Sequence, residues 1–358
     1  MMPSLDTALQ RFTYPGTFVT EAGASLYQPQ LAYRTWGKLN AEGSNAVLVA
    51  HALTGSADAD QWWHGLFHEG GILDLTRQFV ICSNVLGGCY GSTGPTSVNP
   101  LTGECYSADF PEITIRDIVR LQQALLTALG VTSIESGLGG SLGAKQILEW
   151  ALMDDRLRSM VVIGTDAAHS AWAIGISESQ RQAIYTDPDW LGGYYHRYDR
   201  FPTQGLSTAR MIGMITYRSA HSFEERFGRQ MQPHQEDLFK VQSYLRYQGE
   251  KLVNRFDAMT YIRLTQAMDS HDVGRGRGSV EQALASIRIP ALLVGIDSDI
   301  LYPPVEQQFM ARHIPGARYA EIQSPDGHDA FLIEFEQMDQ LLRSFYASLP
   351  DTHFQTAC

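Results

Sequence analysis

Gly139-Gly140-Ser141-Leu142-Gly143 fits the pattern G-x-S-x-G and falls where a β-rich run gives way to a helical one. A serine hydroxyl is a weak nucleophile until a neighbouring base takes its proton and a third group orients that base. The glycines are what a sharp strand-to-helix turn demands, because side chains there would collide while the turn pushes the hydroxyl outwards. The same turn leaves the N–H of Leu142 at a helix N-terminus, where it can stabilise a developing oxyanion. Taken alone, the pattern also fits a plain capping loop.

Candidates for the two remaining roles lie near the other end of the chain. Asp299 sits in IDSDILYPP after the apolar run ALLVGI, with Asp297 as an alternative two residues away. Asp299 is favoured, although it could instead cap the helix that Pro303 and Pro304 introduce. His328 sits in SPDGHDAF after the run ARYAEI. The order Ser141, Asp299, His328 is that of an α/β-hydrolase fold, and both later residues follow strands at the end where sites of open α/β sheets gather. A second oxyanion donor is expected from the loop after an early strand. His51-Ala52-Leu53-Thr54-Gly55 occupies that place, so the N–H of Leu53 is the candidate and His51 reads as structural.

Those residues need a scaffold, and the apolar patterning supplies one. Ala46–His51, Gln78–Cys82 and Met160–Gly164 are nearly continuous apolar runs, as in parallel strands buried on both faces. Ser133–Gly140 reads as a weaker strand, and Ala291–Ile296 and Ala317–Ile322 complete the set. From Ile115 to Leu129 the apolar residues recur at helical spacing, and Gly130 ends the segment. Ser141–Met153 and Ala330–Leu349 also read as helices. The alternation predicts a mostly parallel sheet flanked by helices. Between Ala167 and Ile287 it breaks into Arg-, Gln-, Tyr- and Met-rich helical patterns with no convincing buried strand. The predicted organisation is therefore a core of residues 1–166 and 288–358, interrupted by a helical lid over 167–287, with Arg275–Ser279 as a flexible return.

Composition narrows the function class. The chain has 358 residues, 44% hydrophobic and 18% charged, with a formal net charge of −12. That charge argues against broad nucleic-acid binding, which needs clustered cations on phosphates. A few basic groups in a pocket remain compatible with an anionic ligand, since screening limits surface charge to roughly 8–10 Å. Cys82, Cys89, Cys105 and Cys358 have no CxxC spacing and no accompanying His cluster, so no metal site is indicated. The N-terminus lacks a secretory pattern and no apolar run is long enough to span a bilayer, so a cytoplasmic protein is expected. The Gly-rich NVLGGCYGSTGP lacks G-x-x-x-x-G-K-[ST] and is not a phosphate loop of that type.

The segments HALTGSADAD, NVLGGCYGSTGPTSVNP, GGSLGAKQILEWA, ARMIGMITYRS, YQGEKLVNRFDAMTYIRLTQAMD, DSDILYPP and GHDAFLIE together resemble the homoserine O-acetyltransferase family. The resemblance runs from about residue 50 to the last helix. It implies acetyl transfer from acetyl-CoA, as a co-substrate with no tightly bound cofactor, to L-homoserine through an acyl-Ser141 intermediate, in methionine synthesis. It further implies that Arg210 grips the substrate carboxylate, that Asp329 holds its ammonium, that Tyr217 lines the same pocket, and that two copies pair through the lid. Leu142 and Ala144 stand where the family usually has Met and Gly; neither touches the backbone N–H that matters. Gly87-Gly88-Cys89 resembles members that use acetyl rather than succinyl donors. A succinyl donor, serine as acceptor, a simple esterase and a non-catalytic binding module are the alternatives. Basic residues of the lid, Arg210 and Arg218 among them, are expected to meet the polyanionic donor.

Overall fold

The computed structural model describes residues 7–349 apart from 69 and 234; residues 350–358 of the expected core, Cys358 included, lie outside the described residues. Eight strands form the main sheet: β1 (Gln10–Thr13), β2 (Gln30–Trp36), β3 (Ala46–Ala50), β4 (Phe79–Ser83), β5 (Ile134–Gly140), β6 (Met160–Ile163), β7 (Ala291–Ile296) and β8 (Arg318–Ile322). Their spatial order is β1-β2-β4-β3-β5-β6-β7-β8. From β3 to β8 every pairing is parallel, and β2 is antiparallel to both its neighbours. This is the mostly parallel sheet the sequence predicts.

Continuous apolar runs suit these strands because successive side chains enter different cores. Ala46, Leu48 and Ala50 of β3 point into one buried cluster, and Val47 and Val49 into the other. Leu293 and Leu292 of β7 divide in the same way. The first cluster packs against α1 (Ile115–Ala128) and α2 (Leu142–Met153). At the start of α1, Thr114 accepts the Asp117 N–H and Asp117 accepts that of Thr114, a reciprocal cap. Its end is at Leu129 with Gly130 at φ 80°, as the sequence expects.

Between β6 and β7 the chain forms α3 (Ala171–Tyr185), α4 (Thr203–Tyr217), α5 (Ala220–Phe227), α6 (Lys240–Val253), α7 (Ala258–Asp269) and α8 (Val280–Ser286), with a short hairpin at Met231–Gln232 and Gln235–Phe239. Leu206, Ala209 and much of α7 belong to the same buried cluster as one sheet face, so this helical segment is packed onto the core. α8, counted with the lid from sequence, buries Ala283 and Leu284 in that cluster as well.

Two expectations are corrected. Arg275–Ser279 is not a free return: Arg275 pairs with Glu21 at 2.9 Å and Arg277 with Glu149 at 2.8 Å. The final helix does not begin at Ala330. A 3-10 turn covers Gly327–Leu332, and α10 (Phe335–Tyr346) follows α9 (Pro304–His313) and β8 as a separate helix. Between them Ile333 leaves helical dihedrals, at φ −128° and ψ −47°, and Trp63 Nε1 donates to the Phe331 carbonyl at 3.1 Å.

Candidate active site

Ser141 joins β5 to α2 with φ 57° and ψ −124°, a conformation that strains any residue with a side chain. Its neighbours explain why the turn can exist. A Cβ on Gly143 would lie 2.0 Å from the Ala50 carbonyl oxygen, and one on Gly139 would lie 2.4 Å from the Gly143 carbonyl carbon. Only glycine lets β5, β3 and α2 meet this closely. The Ser141 N–H donates to the Ile163 carbonyl at 2.9 Å, which ties the turn to β6.

His328 is carried by the 3-10 turn after β8, buried between the rings of Tyr302 and Phe331. Its Nδ1 meets Asp299 Oδ2 at 2.6 Å. Asp299 Oδ1 accepts the N–H groups of Leu301 at 2.8 Å and Tyr302 at 2.9 Å, so this carboxylate is fixed at both oxygens. Asp297 takes a different part: it accepts the Ser324 N–H at 3.0 Å and anchors the loop that leads to His328. With Nδ1 bound to a carboxylate, the ring keeps its proton there and leaves Nε2 basic. Nε2 is buried with no hydrogen-bond partner among the described residues. Burial opposes charging of this imidazole, but the charge and hydrogen bond of Asp299, with Asp329 beside it, raise its pKa above the ordinary value.

Ser141, His328, Leu53, Arg210, Tyr217 and Asp329 line one cavity of about 460 Å³, and Asp299 lies buried behind it. No hydrogen bond engages the backbone N–H of Leu53 or Leu142 among the described residues, so both donors remain available to an oxyanion. Arg210, on α4, has no ion-pair partner among the described residues and lies 5.4 Å from the centre of the Tyr217 ring. Burial raises the pKa of Asp329, against the opposing pull of Arg218, Arg210 and His328. The Ser141 hydroxyl, the His328 ring held by Asp299, Leu53, the Arg210 guanidinium and the Asp329 carboxylate therefore meet at one space, and Leu142 follows Ser141 at the start of α2. Such a space can carry an acyl group on Ser141 and receive a zwitterion beside it.

Two features escaped the sequence reading. Lys251 and Arg255 also line the cavity, whereas Arg218, expected in that role, does not: it is committed to Asp326 at 2.6 Å and approaches Asp329 at 3.3 Å. The second is a fully buried ion pair between Lys145, on α2, and Asp166. Against burial, which would raise it, Lys145 and His169 hold the Asp166 carboxyl below its usual range. A lone lysine four residues after Ser141 in an otherwise enclosed helix was the available signal, because a buried ammonium needs a partner.

Known proteins share this architecture. The α/β hydrolase fold family model matches residues 45–335. A homoserine O-acetyltransferase from Trichormus variabilis is 56% identical over 336 residues, covering 94% of this chain and 93% of its own length. The crystal structure of homoserine O-acetyltransferase from Bacillus anthracis matches with a TM-score of 0.87 at 25% identity, over 95% of this chain and 97% of that one. The crystal structure of esterase E22 matches equally well, with a TM-score of 0.87 at 25% identity, over 95% and 99% of the two chains.

Proposed function

We propose, for a chain that belongs to the homoserine O-acetyltransferase family of the α/β-hydrolase fold, that it moves an acetyl group from acetyl-CoA to the γ-hydroxyl of L-homoserine. Ser141 attacks the thioester carbonyl while His328 Nε2 takes its proton, and the N–H groups of Leu53 and Leu142 hold the oxyanion. The CoA thiolate leaves with the proton from His328. Homoserine then gives its hydroxyl proton to His328, attacks the acetyl-serine ester and restores Ser141. The product, O-acetyl-homoserine, suits a role in methionine synthesis.

The observation that carries this reading is Arg210. A guanidinium beside Tyr217 with no ion-pair partner among the described residues, facing a cavity that also holds Asp329 and Ser141, suits the carboxylate and ammonium of an amino acid whose hydroxyl reacts at Ser141. Lys251 and Arg255 at the same cavity give a polyanionic donor local positive charge despite the acidic surface. Arg210→Ala should raise KM for homoserine by about 10–100-fold, the worth of a charged hydrogen-bonded contact, with a smaller change in kcat. Steady-state rates at varied homoserine check this, and an unchanged KM would remove Arg210 from the acceptor site.

The similarity to esterase E22 favours one rival, in which water rather than an amino acid takes the acyl group. The deciding assay follows thiol release from acetyl-CoA alone and with homoserine or serine, with succinyl-CoA run in parallel. Release that needs both acetyl-CoA and homoserine is the expected result. Equal release with and without homoserine would make the protein a hydrolase.

A further inference from the structure

His51 follows β3 directly and sits under the loop that presents Leu53. Its ring nitrogens meet two backbone groups of opposite kind. Nδ1 lies 2.8 Å from the Ala52 carbonyl oxygen, which can only accept. Nε2 lies 3.2 Å from the Val85 N–H, which can only donate. The two neighbours therefore select a single form of the ring: neutral, with its proton on Nδ1. Burial pushes the imidazole pKa down to about 4, in spite of the Ala52 hydrogen bond and the charge of Asp58, so this form persists at neutral pH.

The Ala52 carbonyl and the Leu53 N–H are two ends of one planar peptide unit and point in opposite directions. Whatever fixes the oxygen also aims the N–H. That oxygen receives His51 Nδ1 and, from the other end of the loop, the Gly55 N–H at 2.9 Å. A Cβ on Gly55 would sit 3.0 Å from His51 Cβ, a tight contact, so these two residues are closely packed. The Val85 contact ties the ring to the segment after β4, the strand hydrogen-bonded to β3.

We propose that His51 is a positioning residue for the oxyanion site: its Nδ1–H holds the Ala52–Leu53 peptide with the Leu53 N–H directed at the carbonyl oxygen of the acyl group on Ser141. The inference rests on acyl transfer through Ser141 with Leu53 as one oxyanion donor. His51 touches no substrate and acts only through this peptide.

Two substitutions separate the two hydrogen bonds. His51→Asn can place an amide N–H near the Nδ1 position and keep the bond to Ala52, whereas His51→Gln can place an acceptor near Nε2 and keep only the bond to Val85. Loss of an oxyanion donor costs about 10²–10³ in kcat, so partial misdirection in His51→Gln is expected to lower kcat by about 10–100-fold with KM for homoserine changed less than about threefold. His51→Asn should recover most of that loss. Affinity for an alkylboronic acid, whose adduct on serine places an oxygen in the same site, should fall in parallel with kcat. Equal losses in the two variants, or a loss confined to KM, would overturn the proposal. Nitrogen-15 NMR of the unmodified protein gives a second reading that needs no variant: a His51 ring protonated on Nε2 would equally overturn it. Ser141→Ala is the control. Full activity in that variant would sink the acyl-serine reading itself, whereas an inert Ser141→Ala beside a fully active His51→Gln would sink only the role of His51.

Discussion

Ser141→Ala should lose about 10⁶-fold in kcat, the size of loss seen when a hydroxyl nucleophile is removed from such a set, and should form no acyl-enzyme when mixed with acetyl-CoA alone. Mass spectrometry of the intact protein reads the second outcome: the wild type gains an acetyl group and the variant does not. The position also carries a stability consequence. At φ 57° and ψ −124° Ser141 occupies backbone space suited to glycine, with a strain of order 1–3 kcal/mol. Glycine would relieve that strain, while its greater freedom in the unfolded chain costs about 0.5–1 kcal/mol. Ser141→Gly should therefore match Ser141→Ala in inactivity and exceed both it and the wild type in stability, by about 1 kcal/mol. Denaturant unfolding of the three proteins measures it. A Ser141→Gly protein less stable than the alanine variant would show that the surroundings fit the side chain better than the strain suggests.

The backbone of this site was legible early because its requirements are local. A nucleophile on a strand-to-helix turn needs glycines at fixed offsets, and Gly139 and Gly143 stand there for reasons that the Ala50 carbonyl makes plain. His328 could be read from its place after a strand and in the right order. The N-terminal strands were not legible. Gln10–Thr13 is largely exposed, and Gln30–Trp36 has a burial pattern that follows neither alternation nor a continuous run, so no period marks them. The glycine-rich β5 looked weak for a related reason. Gly137 has no side chain to count, yet its bareness is what lets Ile147 and Leu157 close over the strand.

The lid shows a deeper limit. From its sequence, Arg181, Arg210 and Arg218 are equivalent cations on a helical segment, and only the family resemblance singled out Arg210. Their difference is one of pairing. Arg181 is held by Asp269 at 2.6 Å and Arg218 by Asp326, while Arg210 faces the cavity with no ion-pair partner among the described residues. Pairing is a tertiary property, and neither spacing nor propensity encodes it. Lys251 and Arg255 were overlooked for the same reason.

The choice between Asp297 and Asp299 was a further case that spacing left open, and it yields the second large effect. Asp299→Asn should lower kcat by about 10⁴-fold, the cost of the wrong tautomer in a Ser-His-Asp set. The geometry gives the reason. Two backbone donors, the N–H groups of Leu301 and Tyr302, already point at Oδ1. In the variant the amide oxygen must take that position, which leaves the NH₂ facing His328 Nδ1. The ring can then only accept at Nδ1, so its proton moves to Nε2 and no base faces the serine. A pH profile adds a second check. The rate needs neutral His328, so it rises with pH through the pKa of that ring. In the wild type the rise lies above the ordinary imidazole range, because the Asp299 charge and hydrogen bond, with Asp329 beside the ring, outweigh burial. In the variant the Asp299 charge is gone while burial remains, so the rise moves to lower pH. Raising the pH cannot restore the rate, since the fault is the tautomer rather than the charge. Asp297→Asn keeps an oxygen for the Ser324 N–H and should stay within about threefold of the wild type, a single neutral hydrogen bond being worth only about 1 kcal/mol. Equal losses in the two variants would remove Asp299 from its place behind His328.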